Sequence, residues 1–227
     1  MPLRLISFDA AGTLIHVREP VGETYAAFAR RHGISAEPAS LIDAFRRLWT
    51  TIPSPLRPEG EASPDDDRSW WHAFAARVFA DALGEPVPAH LFEPMFAAIY
   101  QHYAKGEAWA VYDDVLPALE ALAQDHQLCV LSNFDRRLVA ILSDHGLTHY
   151  FSNIILSSEV GAAKPHPRMF VTAERLHDAL PAHCLHVGDD ARCDITGAQQ
   201  CGWQAFAVER PQRGLADLVE KVRLSAT

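Results

Sequence analysis

The amino-acid sequence predicts an α/β protein, a Rossmann-like parallel sheet interrupted early by a helical insertion. Three observations carry this. Residues 3–8 form a short apolar run that stops at Asp9, as a buried strand does before a ligand-facing loop. Between Val21 and Lys105 the apolar residues recur at helical spacing. Beyond Trp109 short apolar runs alternate with helical stretches, the pattern of right-handed βαβ units on a parallel sheet. The first strand therefore belongs to a core that resumes near residue 107. The expected division is residues 1–15 and 107–227 for the core and 16–106 for the insertion.

Each element has its own signal. Tyr25, Phe28 and Ala29 share one face of a first helix, closed by Gly33. Leu41, Phe45, Leu48 and Trp49 mark a second. Pro53, Pro55, Pro58 and Gly60 break the pattern into a loop. A third helix follows at Trp71, Phe74, Val78 and Phe79, and a fourth at Leu91, Met95, Ala98 and Ile99. Aromatic stripes at this spacing read as helix core. In the second half, helices are expected over 115–123, 138–142, 170–176 and 195–201. Strands are expected over 128–131, 153–156, 184–187 and 204–208.

Composition narrows the function classes. With 227 residues, 48% of them hydrophobic, the chain can bury a large core and is unlike a disordered protein. No apolar run reaches the ~18 residues that span a bilayer, and the first run is cut too early by Asp9 for a signal peptide. Cys129, Cys184, Cys193 and Cys201 form no CxxC pair and read as reduced, buried thiols of a cytoplasmic protein. The net charge of −9 repels nucleic acid and anionic membranes, so neither is an expected partner. A phosphorylated or other small anionic ligand would need a local positive site, and Lys105, Lys164 and Lys221 are the only lysines. A monomer or homodimer is expected.

In an open α/β sheet, ligands bind beyond the carboxyl ends of the strands. The first strand ends at Asp9, the second at Ser132-Asn133, and the third is followed by a loop with Lys164. The fourth ends at Gly188-Asp189-Asp190, with Asp194 one turn on. A lone Ser or Asp there usually caps a helix; their joint occurrence points to chemistry. The set suits phosphoryl transfer, in which a carboxylate nucleophile needs its charge offset before attacking a phosphate dianion. Mg²⁺ held by Asp9 and Asp189 would do so. Lys164 would pair with nucleophile and phosphate, and Ser132 with nearby backbone N–H groups would bind phosphate oxygens.

These residues resemble the four motifs of the haloacid dehalogenase superfamily: Asp9-Ala10-Ala11-Gly12-Thr13-Leu14, Ser132, Lys164, and Gly188-Asp189 with Asp194. Order and spacing fit over nearly the whole chain, and the insertion lies where this superfamily carries a helical C1-type cap. The resemblance implies a hydrolase with Asp9 as nucleophile, Thr13 steadying its loop, and Ser132 and Lys164 in catalysis. It implies a Mg²⁺ site from Asp9, the Ala11 carbonyl, Asp189 and, in its outer shell, Asp194, with Asp190 as an alternative ligand. Ala11, Gly12 and Asn133 complete the expected phosphate contacts. A narrower resemblance, to the rhythmically-expressed-gene-2-like group, rests on Ser132-Asn133-Phe134-Asp135-Arg136-Arg137-Leu138, on Lys164-Pro165-His166-Pro167-Arg168-Met169-Phe170, on Gly22-Glu23-Thr24-Tyr25 and on Trp70-Trp71.

One position departs from the pattern. Phosphatases of this superfamily carry an acid/base Asp where this chain has Ala11. A positioned acid or base is worth roughly 10²–10⁴ in rate. Four readings stay open: a phosphatase for good leaving groups, or one borrowing Asp135 or His16; a phosphonate hydrolase, which needs a cap lysine although Lys105 is the only lysine near the insertion; a metal-free 2-haloacid dehalogenase, against which Gly188-Asp189-Asp190 argues; and a binding or regulatory protein on a weakened hydrolase scaffold. The histidines, including His183 and His186 on one strand, read as surface or satisfied core residues. Arg30-Arg31 and Arg46-Arg47 read as solvated faces, and Arg136-Arg137 as candidate contacts to a large anionic substrate.

Overall fold

The computed structural model describes residues 3–53, 55 and 61–225. Pro58 and Gly60 of the expected loop lie outside the described residues. In chain order the strands are β1 (Leu5–Phe8), β2 (Ile15–Val17), β3 (Trp109–Val111), β4 (Gln127–Ser132), β5 (Asn153–Leu156), β6 (Cys184–Gly188) and β7 (Gln204–Ala207). Five of them form one parallel sheet in the order β5-β4-β1-β6-β7. The helices are α1 (Val21–Arg31), α2 (Pro38–Thr51), α3 (Arg68–Leu83), α4 (Ala89–His102), α5 (Val115–Leu122), α6 (Arg137–Asp144), α7 (Ser157–Val160), α8 (Pro167–His177), α9 (Gly197–Gln200) and α10 (Leu215–Ser225).

The strands are apolar on both faces because both are covered. Ile6, Phe8, Leu128, Val130, Leu185 and Val187 pack with residues of α5, α6 and α10. The alternate residues Leu5, Cys129, Leu131, Ile155 and Cys184 pack with those of α8 and α9. Central β1 is buried at every residue, so Asp9 emerges from a fully enclosed strand.

The four helices of the insertion have a separate core. Tyr25, Ala29, Leu41, Phe74, Val78, Phe79, Met95 and Ile99 are buried there. Pro38 starts α2 at its first turn, where its missing N–H costs nothing. At Gly22 a Cβ would strike the Pro38 carbonyl, so glycine lets α1 and α2 close on each other. Gly33 follows α1 with φ +76°, the left-handed conformation that ends helices.

Three features depart from expectation. The chain enters and leaves the insertion through β2 and β3, which pair antiparallel as a two-stranded stem; three residues each are too few to show a period. The helix expected over 195–201 is a wide π-helical turn, Ala191–Thr196, followed by the single turn α9. Asp190 caps that turn, its Oδ1 accepting the N–H groups of Arg192 at 2.8 Å and Cys193 at 2.6 Å. Third, α10 was not expected, although Leu215, Leu218, Val219 and Val222 carry helical spacing and pack on the sheet. Among the described residues no helix is long and apolar enough to cross a membrane.

Candidate active site

Asp9 leaves β1 with its N–H bonded to the Val187 carbonyl at 2.8 Å. Two donors converge on one of its oxygens: Ser132 Oγ at 3.0 Å and Lys164 Nζ at 2.8 Å, both to Oδ1. Among the described residues Oδ2 has no hydrogen-bond partner. Lys164 also lies 2.7 Å from Asp194 Oδ1. Asn133 fixes the lysine's backbone, its Nδ2 donating to the Lys164 carbonyl at 2.9 Å and its Oδ1 accepting the Lys164 N–H at 2.6 Å. The Asn133 side chain is therefore committed to Lys164, which leaves only its backbone for a phosphate.

His186 lies behind this cluster, fully buried, and belongs to it. Its Nε2 is 3.2 Å from Asp194 Oδ1 and 3.3 Å from Lys164 Nζ, and its Nδ1 is 2.7 Å from Ser7 Oγ. Donation from Nε2 to Asp194 and acceptance at Nδ1 from Ser7 satisfy both ring nitrogens. Burial and then Lys164 push the imidazole below its ordinary range, against the pull of Asp194 and Asp9. The role was not read from sequence, yet a signal existed: Ser7 and His186 are cross-strand partners on β1 and β6, and Asp9 is two residues beyond Ser7.

Burial opposes charge throughout. It would lower Lys164, but Asp9 and Asp194 together outweigh it and hold the ammonium above its usual value. Burial would raise Asp194, but Lys164 and His186 hold that carboxyl well below the usual range. Asp9 is raised, because burial and the nearby Asp194 exceed the relief from Lys164. Asp189, at the open edge, is pushed up to about 6 by desolvation, then by Asp9 and Asp194, against a hydrogen bond from Thr13. That bond, Thr13 Oγ1 to Asp189 Oδ1 at 3.2 Å, ties the nucleophile loop to β6. Gly12 has φ +92°, and a Cβ there would overlap the Asp189 carboxylate. Arg210, which belongs to no motif, donates to the Thr13 carbonyl at 2.8 Å, pairs with Asp114 at 2.9 Å and lies over Tyr112. It braces the same loop.

The donor set suits a small hard cation. Ligand atoms of Asp9, Asp189 and Asp194 lie within 4.8 Å of one another, and a divalent ion would relieve the repulsion that raises Asp189. The three are not equivalent. Asp194 Oδ1 is held by Lys164 and His186, and its Oδ2 accepts the Asp190 N–H at 3.0 Å. Asp9 Oδ2 and Asp189 are left for a metal. Asp190 also lines the cavity, with its Oδ1 engaged in capping the π-helical turn.

A cavity of about 900 Å³ opens over these groups. Asp9, Ala11, Gly12, Ser132, Asn133, Lys164, Asp189 and Asp194 line it from the sheet, and aromatic residues of α1–α4 line it from the other side. Ala11 is exposed to it. Of the two expected stand-ins for the missing carboxylate, Asp135 is buried in a two-point pair with Arg137, at 2.8 and 2.6 Å. It is not free to exchange a proton with substrate. His16 lines the cavity, with Nδ1 3.0 Å from the Val17 carbonyl and its ring against Tyr112. Neither Arg136 nor Arg137 is a loose anion clamp: Arg136 pairs with Glu159 and Arg137 with Asp135. Cys193 and Cys201 are half-buried, unlike the buried Cys129 and Cys184, and Cys193 lines the cavity. The aromatic stripes are likewise not all core, because Trp49, Trp70 and Trp71 face this space.

Comparison with known proteins agrees with the geometry. Residues 3–202 match the model of the haloacid dehalogenase-like hydrolases. The chain is 33% identical over 213 residues to the haloacid dehalogenase-like hydrolase domain-containing protein 3 of Homo sapiens, covering 93% of this chain and 84% of that one. It is 28% identical to the rhythmically expressed gene 2 protein of Drosophila melanogaster, covering 96% and 86%. Its fold is similar to that of the HAD-hydrolase YfnB of Bacillus subtilis, solved bound to magnesium, with TM-score 0.75, 19% identity and coverage of 98% and 100%. Proteins solved as a phosphatase and as an L-2-haloacid dehalogenase share the fold too, so fold alone does not choose the reaction. On the family match and the length of chain shared with its relatives, this protein is a hydrolase of the haloacid dehalogenase-like family.

Proposed function

We propose that this hydrolase moves a phosphoryl group from a small phosphorylated substrate to Asp9 and then to water, with Mg²⁺ at Asp9 and Asp189. The observation that carries the reading is the division of labour at Asp9. Lys164 and Ser132 both hold Oδ1, which leaves Oδ2 for the metal beside Asp189. When bound, Mg²⁺ would neutralise charge between nucleophile and phosphate. The Ala11 carbonyl would add an oxygen ligand, and Asp194 would act from outside by fixing Lys164. Lys164, Ser132 and the backbone of Gly12 and Asn133 would bind the phosphate oxygens. Residues 16–106 would serve as a C1-type cap over a core of 1–15 and 107–227, and the protein would work in the cytoplasm.

Two other reactions have less support. A phosphonate hydrolase needs a cap lysine in the site, and Lys105 is exposed beside Glu107 at 3.8 Å. Dehalogenation has no use for a carboxylate at Asp189, yet Ala11 leaves it in play. The test is Mg²⁺ binding by calorimetry, alone and with beryllofluoride, in wild type and Asp9→Asn. Phosphoryl transfer predicts that beryllofluoride and Mg²⁺ bind together and that Asp9→Asn binds neither tightly. Turnover of a 2-haloacid in EDTA, with no beryllofluoride complex, would overturn it.

A further inference from the structure

We infer that the substrate is an aryl phosphate, whose leaving group is a phenolate held against the aromatic wall of the cavity. The inference rests on the phosphoryl-transfer reading above, and two independent features of the chain point to the same class.

The first is the wall. Trp49, Trp70 and Trp71 meet around the cavity, with Trp70 and Trp71 edge to face at 4.9 Å and Trp49 stacked on Trp71 at 5.9 Å. Trp49 remains 53% exposed, an unusual state for the largest apolar side chain. Tyr100 and Phe134 line the same cavity. Among the described lining residues, none from α1–α4 carries a charge. Two polar groups of the wall are matched: Trp70 Nε1 donates to the Pro53 carbonyl at 3.0 Å, and Arg137 is held by Asp135 and lies 4.0 Å over the Tyr100 ring. Hydroxyls or a carboxylate set against the tryptophan rings would lose water to apolar surface. A flat ring would gain stacking contacts. Because the wall is continuous with the space over Asp9, it is the leaving group that would occupy it.

The second feature is Ala11. With no carboxylic acid at that position, the leaving oxygen departs without a positioned proton. A phenolate tolerates this and an alkoxide does not. In the step, the Asp9 carboxylate forms a bond to phosphorus while the P–O bond to the ring breaks, its electron pair going to the phenolate oxygen. Water then attacks the aspartyl phosphate, inorganic phosphate and one proton are released, and the Asp9 carboxylate is restored.

Ring and leaving group can be separated with four substrates: phenyl phosphate has both features, benzyl phosphate the ring alone, acetyl phosphate the good leaving group alone, and ethyl phosphate neither. Phenyl phosphate should exceed benzyl phosphate in kcat/KM by about 10² or more. Phenylphosphonate, which cannot be hydrolysed, should bind about 3- to 10-fold tighter than ethylphosphonate and quench tryptophan fluorescence. Trp71→Ala should abolish that preference. Trp71→Leu, which keeps apolar bulk, should abolish it too and guards against a folding defect in the alanine variant. Equal binding of the two phosphonates, or equal kcat/KM for phenyl and benzyl phosphate, would overturn the aryl assignment. If beryllofluoride still binds at Asp9 in that case, the phosphoryl-transfer reading stands. If it does not bind, that reading falls and the aryl assignment with it.

Discussion

Around Lys164 the polar side chains are paired, so that Asp9, Asp194, His186, Ser7, Asn133 and Ser132 form one connected set. Across the same cavity, Trp49 stands half in solvent and packs against other rings. The strand ends hold charge where water is scarce, and each member is fixed because its loss strands another. The helical wall holds apolar surface where water is plentiful, and no ring there depends on one neighbour. Reactivity and recognition are thus carried by parts of the molecule with opposite tolerance to change.

The contrast breaks most sharply at Lys164. Lys164→Met should abolish turnover and cost about 3–5 kcal/mol in urea unfolding, because two buried carboxylates lose their shared cation. An active or undiminished variant would mean that the network does not hold the site. On the same side, Ala11→Asp adds a group rather than removing one. It should raise turnover of a poor-leaving-group alkyl phosphate, with a ceiling of roughly 10²–10⁴, and do less for p-nitrophenyl phosphate. A parallel rise for both substrates would assign the gain to hydrolysis of the aspartyl phosphate. No rise, with Mg²⁺ still bound, would show that the missing carboxylate is not limiting.

Asp189 links the fixed side to solvent, and its pH behaviour has a definite sign. Its folded value, about 6, lies above the ordinary 3.8, so the native state binds more protons between them. Stability from this group is present below pH 4 and is lost as pH rises through 6. In EDTA, Asp189→Asn should therefore be more stable than wild type above pH 6 and nearly equal below pH 4. With Mg²⁺ the order should reverse, since the wild-type carboxylate then has a cation. Thermal melts of both proteins across that range decide it; the same order with and without Mg²⁺ would remove Asp189 from the metal site. The smallest effect belongs to the wall: Trp49→Ala should change unfolding free energy by less than about 1 kcal/mol. A much larger loss would make Trp49 a core residue.

The sheet was legible because buried parallel strands are short, apolar and end in polar residues that have no other reason to be there. Asp9, Ser132 and Asp189 stand out as the polar groups at or just past strand ends, with Lys164 in the loop beyond α7, and the cavity holds all four. What escaped was whatever depends on a partner far along the chain. His186 looks like a core histidine until Ser7 and Asp194 surround it. Arg210 has no motif and acts through a loop 197 residues away. Asp135 reads as a spare acid until Arg137 closes on it. Trp49 and Trp71 share a helical spacing with true core residues, and only packing shows which rings the core leaves outside.

The most direct test is to catch the phosphoryl group on the protein. Wild type mixed with excess phenyl phosphate and Mg²⁺, quenched in acid within one turnover and digested, should yield the peptide containing Asp9 with the added mass of one phosphoryl group. Fragmentation should place it on Asp9, and Asp9→Asn should give neither the adduct nor turnover. Steady release of phenol with no adduct on Asp9 at any quench time, or unchanged turnover in Asp9→Asn, would contradict the account at its centre.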